Sequence, residues 1–284
     1  MATNTLNIRS MTRNEVAETL EWAAGEGWNP GLYDAEAFFH TDRNGFFIAT
    51  HNDETAGVIA AVAYDETFGC IGLHIVKPDY AAQNVGETLL KHALDYLGDR
   101  TIGVTANLEQ EPFYTGAGFQ TAHRITRYEG EGGGSLPRLR QYDVVPLDQI
   151  PLPVLEAYDL RMFPVARPAF LRWWLRQEEA TTVGMLRNDR MAGYGVLRRG
   201  HHGRKLGPVF ADTPQIAKDL IKALLSSIPG EPVMIDAPDN NPATSDLMRV
   251  LKFKPAFETL RMYAGEPPQL PANQIFGVTT LHLG

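Results

Sequence analysis

The chain repeats itself. "NDETAG", Asn52 to Gly57, reads against "NDRMAG", Asn188 to Gly193, 136 positions later. Asn107 reads against Asn241, Phe119 against Phe253 and Arg127 against Arg261, each 134 positions on. "GFQTAHRITRYEGE", from Gly118, parallels "KFKPAFETLRMYAGE", from Lys252, with one inserted residue. Single matches of this kind are weak, but several in order at near-constant spacing point to duplication of one domain. A chain of 284 residues holds two such units of ordinary size. The seam is "EGEGGGSLPRLR", Glu129 to Arg140, whose three consecutive glycines and following proline continue neither a helix nor a central strand. The expected organisation is a first domain over 1–130, a linker over 131–140 and a second domain over 141–284.

Within the first unit, "LNIRSM" alternates as a short strand. "TRNEVAETLEWAAGEGW" opens with Thr12 and Glu15 at capping-box spacing and sets Val16, Leu20 and Ala23 on one helical face. "GFFIATHNDETAGVIAAVAYD" reads as a hairpin, "CIGLHIVKP" as a strand ended by Pro78, and "QNVGETLLKHALDYL" as an amphipathic helix. "TIGVTAN" is a buried strand, followed by "EQEPFYTGAGF" and a final strand pair. Strands with interspersed helices predict an α/β chain, an α+β mixed sheet with helices on both faces.

Composition narrows the function classes. Hydrophobic residues at 44% and charged residues at 21% suit a globular protein with real cores. No apolar run approaches the ~20 residues that span a bilayer, so no membrane partner is expected. The N-terminus lacks the apolar centre of a signal peptide. A single cysteine, Cys70, excludes an internal disulfide and suits a cytoplasmic location. A net charge of −8 argues against nucleic acid as a partner, and "RRGHHGRK", Arg198 to Lys205, is expected as a solvated hairpin. The eight histidines are scattered, and His201–His202 lacks nearby ligand spacing, so no metal site is expected.

Chemistry concentrates in "HIVKPDYAAQNVGETLLKHALDYL", His74 to Leu97. Strand, short loop and helix in that order present backbone N–H groups to a phosphate. The loop has one glycine, Gly86, and no arginine. Most contacts to a phosphate there come from backbone N–H groups, which Ala82, Gln83, Asn84, Val85 and Gly86 all possess, and asparagine tolerates positive φ better than other side chains.

"VKPDYAAQNVGETLL" resembles the V-x-P-x-Y-R-G-x-G-I-G-x-x-L segment of the GNAT family of acetyl-CoA-dependent N-acetyltransferases. "NLEQEPFYTGAGF", Asn107 to Phe119, resembles that family's N-x-x-x-x-x-F-Y-x-x-x-G-F ending. "EGWNPGLYDAEAFF", "GPVFAD" and "RMYAGE" are similar to a subgroup with two such domains in one chain. The resemblance implies two tandem acyl-CoA N-acyltransferase-like domains. The first would move an acetyl group from acetyl-CoA to a primary amine of a small-molecule or peptide acceptor, directly in a ternary complex. Ile75, Val76, Ala81, Ala82, Gln83, Asn84, Val85, Gly86, Glu87 and Asn107 would hold coenzyme A. The family's Q/R-x-x-G-x-G/A loop falls on Ala81, Asn84 and Gly86. Losing its arginine removes a charge-assisted interaction of about 1.5–3 kcal/mol. Tyr114 matches the family's proton donor to the departing thiolate, and it also reads as a buried aromatic beside Phe113 and Phe119. His74, which titrates near neutrality, is a candidate base or a packed side chain. Glu26, Trp28, Asn29 and Tyr33 are candidates for the acceptor site or for plain packing.

The second unit departs from this pattern. It has Met248 where the first has Tyr114 and Lys252 where the first has Gly118. "GPVFADTPQIAKDLIKALL" passes from Asp212 and Thr213 straight into a helix at Pro214, which is good capping chemistry without a glycine loop. The expectation is a second domain that kept the fold, lost the cofactor site and walls or braces the first. "LEAYDLRMFPVARPAFLRWWLRQ" offers Arg161, Arg167, Arg172, Trp173 and Trp174 either as a pocket or, preferably, as an amphipathic helix. A non-catalytic acyl-CoA-binding or partner-binding protein on the same scaffold is the alternative reading.

Overall fold

A computed structural model describes residues 6–135 and 143–284. The expected linker falls partly on 136–142, outside the described residues. The first half runs β1 Leu6–Ser10, α1 Arg13–Gly25, α2 Asp34–Thr41, β2 Phe46–His51, β3 Glu54–Ala63, β4 Phe68–Val76, α3 Val85–Leu97, β5 Thr101–Asn107, α4 Glu111–Gly116 and β6 Gln120–Glu131. The second half follows with β7 Asp143–Pro146, α5 Leu152–Asp159, α6 Pro168–Trp174, β8 Thr181–Arg187, β9 Arg190–Arg199, β10 Arg204–Ala211, α7 Pro214–Leu225, β11 Pro232–Pro238, α8 Ala243–Val250, β12 Lys254–Ala264 and β13 Ile275–Gly277.

Local signals explain the first elements. Thr12 and Glu15 form the reciprocal capping box of α1, which buries Val16, Leu20 and Ala23. Asn52 and Asp53, both at positive φ, turn β2 into β3. α3 buries Val85, Leu89, Leu90, Ala93 and Leu97 along one face, against a core shared with β3, β5 and α4.

Strand order is where the halves become one body. The sheet runs β1-β2-β3-β4-β5-β12-β6-β11-β10-β9-β8-β7, with β13 pairing β10 off that path. Each half therefore lends its last long strand to the other: β12 lies against β5, and β6 lies against β11. Ile125 pairs with Thr259 across the central antiparallel contact, and these are equivalent positions under the 134-residue offset that relates Arg127 to Arg261. The central contact is thus a pseudo-two-fold seam. The strand pair expected after Gly118 is instead one strand, β6, whose partners both come from the second half.

Helices close the inner face. α2 packs on α6, with Phe38 stacked on Trp174, and one core cluster spans both halves. Buried ion pairs tie the halves together there. Arg127 grips Asp236 bidentately at 2.6 and 2.8 Å, Lys205 reaches the same carboxylate at 3.2 Å, and Asp34 of α2 pairs with Arg198 of β9. "RRGHHGRK" is a hairpin as expected, but only its tip is solvated: Arg198 and Lys205 face each other across β9 and β10 and are buried on these carboxylates. Of the arginine- and tryptophan-rich stretch, Arg167 is buried on Asp159 and Trp174 is core, while Trp173 is half exposed and stacked on His40. The segment after β13 runs through this interior, where the Tyr64 hydroxyl donates to the Leu283 carbonyl and the His282 ring packs on Trp28 and Phe38.

Candidate active site

β4 and β5 are parallel and paired only from Phe68 to Ile71 against Thr101 to Val104. Beyond that point they diverge. Leu73 sits at φ 48 where the β3–β4 register shifts, so a bulge turns the end of β4 away from β5. The edge of β4 that faces the gap keeps backbone groups unpaired by β5 over Gly72 to Val76. Gly72, Leu73, His74, Val104, Thr105, Asn107, Gln110 and Tyr114 line the resulting cleft, a cavity of about 30 Å³.

The loop after β4 makes a short turn at Pro78–Tyr80 and then enters α3 through Asn84, at φ 55 and ψ 26. That is the left-handed conformation asparagine tolerates. The Asn84 side chain makes no capping hydrogen bond. No acceptor among the described residues receives the N–H groups of Asn84, Val85, Gly86 or Glu87. Ala81, Ala82, Gln83 and Asn84 are exposed, so this end of α3 offers donors and the positive end of the helix dipole to solvent. Ile75 is buried and Val76 half-buried at the end of β4, and Asn107 is exposed at the end of β5, where its own N–H is taken by the Gln110 side chain at 3.3 Å.

His74 and Tyr114 meet at the head of the cleft. His74 Nδ1 lies 3.1 Å from the Tyr114 hydroxyl. Phe113 and Phe119 pack edge-on against the Tyr114 ring, so the aromatic cluster and the polar contact coexist in one side chain. Burial pushes the phenol pKa well up and the imidazole down to about 4. Both groups are neutral at physiological pH. His74 Nε2 lies buried over the Gly86 backbone.

Of the acceptor-site candidates, the structure brings only Trp28 to the cleft. Asn29 is buried in the seam, where its side chain accepts from the His202 N–H at 2.9 Å and donates to the His202 carbonyl at 3.0 Å. Tyr33 reaches Glu179 of the second half at 3.3 Å, and Glu26 is the exposed C-cap of α1. The stretch from Asn29 to Tyr33 stitches the halves together, and Leu32 adds a backbone bond to Arg199. Sequence reasoning missed the residues that line the cleft from the other half: Phe257 and Thr259 on β12, with Leu281 and His282. No local signal could reveal them, because Phe257 and Thr259 arrive through strand exchange and Leu281 and His282 on the segment after β13.

The corresponding region of the second half is closed twice over. β10 and β11 pair only from Arg204 to Leu206 against Val233 to Ile235, and β13 then lies in the gap, pairing β10 at Val209 and Phe210. Val278 N–H donates to the Asp236 carbonyl on the other side. At the start of α7, the Thr213 hydroxyl accepts from Ile216 N–H at 3.3 Å, and Pro214 has no N–H to offer. Met248 is fully buried and Lys252 sits at φ 64. Among the described residues no three His, Cys, Asp or Glu side chains cluster to hold a metal, and no helix is long and apolar enough to cross a membrane.

A mixed sheet whose parallel pair splays in front of an open helix N-terminus, built twice with the last strands exchanged, defines a tandem acyltransferase fold. Comparison with known proteins agrees. Two models described as an acetyltransferase (GNAT) domain match residues 22–131 and 155–277. Holothin acyltransferase from Pseudoalteromonas sp. (strain SANK 73390) is 28% identical, over 93% of this chain and 90% of that one. A putative acetyltransferase from Pyrococcus horikoshii shares the fold with a TM-score of 0.83 at 21% identity, over 100% of this chain and 98% of that one. A tandem GNAT protein from the clavulanic acid biosynthesis pathway has a TM-score of 0.64 at 14% identity, over 93% and 100%. The chain belongs to the GNAT family as a tandem protein, and it is an acyltransferase.

Proposed function

We propose that the first half transfers an acetyl group from acetyl-CoA to a primary amine, directly in a ternary complex in the cytoplasm, and that the second half is scaffold and acceptor wall. The observation that carries this reading is the His74–Tyr114 hydrogen bond at the head of a cleft whose other end is the open N-terminus of α3. The unpaired N–H groups from Asn84 to Glu87 suit a pyrophosphate, the free edge of β4 suits the amide-bearing arm of coenzyme A, and Asn107 stands across the gap. A Cβ at Gly86 would meet nothing closer than 3.5 Å, so the chain itself does not require glycine there, and its absence of side chain keeps the helix end open.

The lowered pKa of the imidazole sets its role. An imidazole pushed down to about 4 is a poor base for an ammonium near 10.4: the transfer is uphill by about six units, roughly 8 kcal/mol. His74 is therefore a positioning residue. With its proton on Nδ1 it donates to the Tyr114 oxygen and leaves the phenolic O–H free to face the thioester sulfur. Tyr114 then supplies that proton as the carbon–sulfur bond breaks, while the amine proton leaves through water. Trp28, Phe257 and Thr259 face the acceptor.

Ala81, in place of the family's arginine, favours the rival reading of a non-catalytic acyl-CoA binder, and one assay separates the two. Thiol release from acetyl-CoA is measured over a panel of small amines. Tyr114→Phe is expected to lower turnover about 10²-fold with coenzyme A affinity unchanged. Unchanged turnover in the variant removes Tyr114 as the proton donor, and no transfer to any amine by the native protein rejects the catalytic reading.

A further inference from the structure

A cavity of about 200 Å³ lies on the inner face beside the cleft and shares Thr105 with it. Its walls are mostly apolar, with Phe163, Pro164, Phe210, Leu270, Ile275 and Val278 among them. One cation lines it, Arg261 of β12, whose guanidinium is buried. Its hydrogen bonds go to neutral groups: Nε donates to the Tyr263 hydroxyl at 3.2 Å, Nη1 to the Thr105 hydroxyl at 3.3 Å and Nη2 to the Cys70 sulfur at 3.5 Å. Two of its five N–H groups remain. No Asp or Glu side chain of the described residues forms an ion pair with it, Gly284 lies against its Nη2, and burial holds the cavity-lining His123 neutral.

The pseudo-two-fold shows what is missing. Arg127, the repeat counterpart of Arg261, pairs across the strands with Asp236 and is neutralised by it. Arg261 pairs across the strands with Thr105. One seam arginine has a carboxylate opposite, and the other has a hydroxyl and an open cavity. A buried charge without a side-chain counter-charge is costly, and glycine at position 103 leaves the room that this guanidinium occupies. We infer that the cavity binds an organic carboxylate on an apolar body, with Arg261 as the group that recognises the acid. Its position beside the cleft allows the acid to be the far end of the acceptor or a separate molecule bound next to it.

The test uses the whole protein without acyl-CoA, so it does not depend on the transfer reading. Benzoate, phenylacetate and hexanoate are compared with their amides by thermal shift and calorimetry. The acids are expected to raise the melting temperature and to bind at least about tenfold more tightly than the amides, the scale of a charge-assisted pair. Thr105→Asp restores the counter-charge that Asp236 gives Arg127. This variant is expected to melt higher than the native protein when unliganded and to lose the response to acids. Arg261→Met is expected to lose the response as well. With acetyl-CoA present, faster acetylation of aminomethylbenzoate than of methylbenzylamine assigns the acid to the acceptor, whereas a rate change by benzoate assigns it to a separate molecule; both keep the site at Arg261. Equal affinity for acids and amides, or a Thr105→Asp protein that still responds to acids, overturns the inference.

Discussion

Asn84 and Ala81 carry the difference between this loop and a standard one. Asn84 adopts φ 55 without a glycine, so Asn84→Gly should leave stability nearly unchanged, whereas Asn84→Val should cost about 1–2 kcal/mol and weaken coenzyme A binding. Ala81 is exposed beside the open helix end, and Ala81→Arg is expected to tighten coenzyme A binding about tenfold by titration calorimetry. The histidines set a second residue-level effect. Burial pushes His74 and His123 down to about 4 and His282 down to about 3, against an ordinary value of 6.5. The unfolded chain takes up protons in that window that the folded chain refuses, so stability is full above pH 6.5 and falls as pH drops toward 3–4. Melting temperatures measured across pH 4–7 should show this slope, and His282→Leu should remove up to about 1.4 kcal/mol of it per pH unit. An unchanged slope in that variant would remove His282 from the account. The left-handed asparagine and the buried Tyr114 were legible in the sequence, since both depend on local chemistry. The depressed imidazoles were not, because burial is set by residues distant in the sequence.

At the scale of elements, two helices of the same ancestry have opposite ends. α3 begins with an uncapped left-handed asparagine, and α7 begins with a threonine cap and a proline. The sequence already showed this contrast, because capping residues lie next to the helix they cap. β13 was not legible: three residues long, it lies in the gap between β10 and β11 and takes its meaning from those strands. The segment that follows it packs on the first half so closely that a Cβ at Gly72 would run into the His282 backbone. Gly72→Val is therefore expected to destabilise the protein by about 1–3 kcal/mol in chemical denaturation. A neutral effect would mean that residues 278–284 are not held against β4.

At the scale of the molecule, the repeat predicted two domains and the structure joins them into one sheet. Duplication was visible because equivalent residues keep their spacing, but exchange of β6 and β12 leaves no mark in either strand's own sequence. The exchanged strands and the Arg127–Asp236 pair make each half part of the other's core. Heating should therefore produce one cooperative transition, and Asp236→Asn should lower stability by about 3–5 kcal/mol by stranding a buried guanidinium. Two separate transitions would contradict the shared sheet. The central claim is an asymmetry: one half keeps an open cofactor cleft, and the other has filled its own with β13. Calorimetric titration of the whole chain with acetyl-CoA tests this most directly. The account predicts one site per chain, weakened by Asn84→Val, and it is contradicted by two equivalent sites or by no binding up to millimolar cofactor.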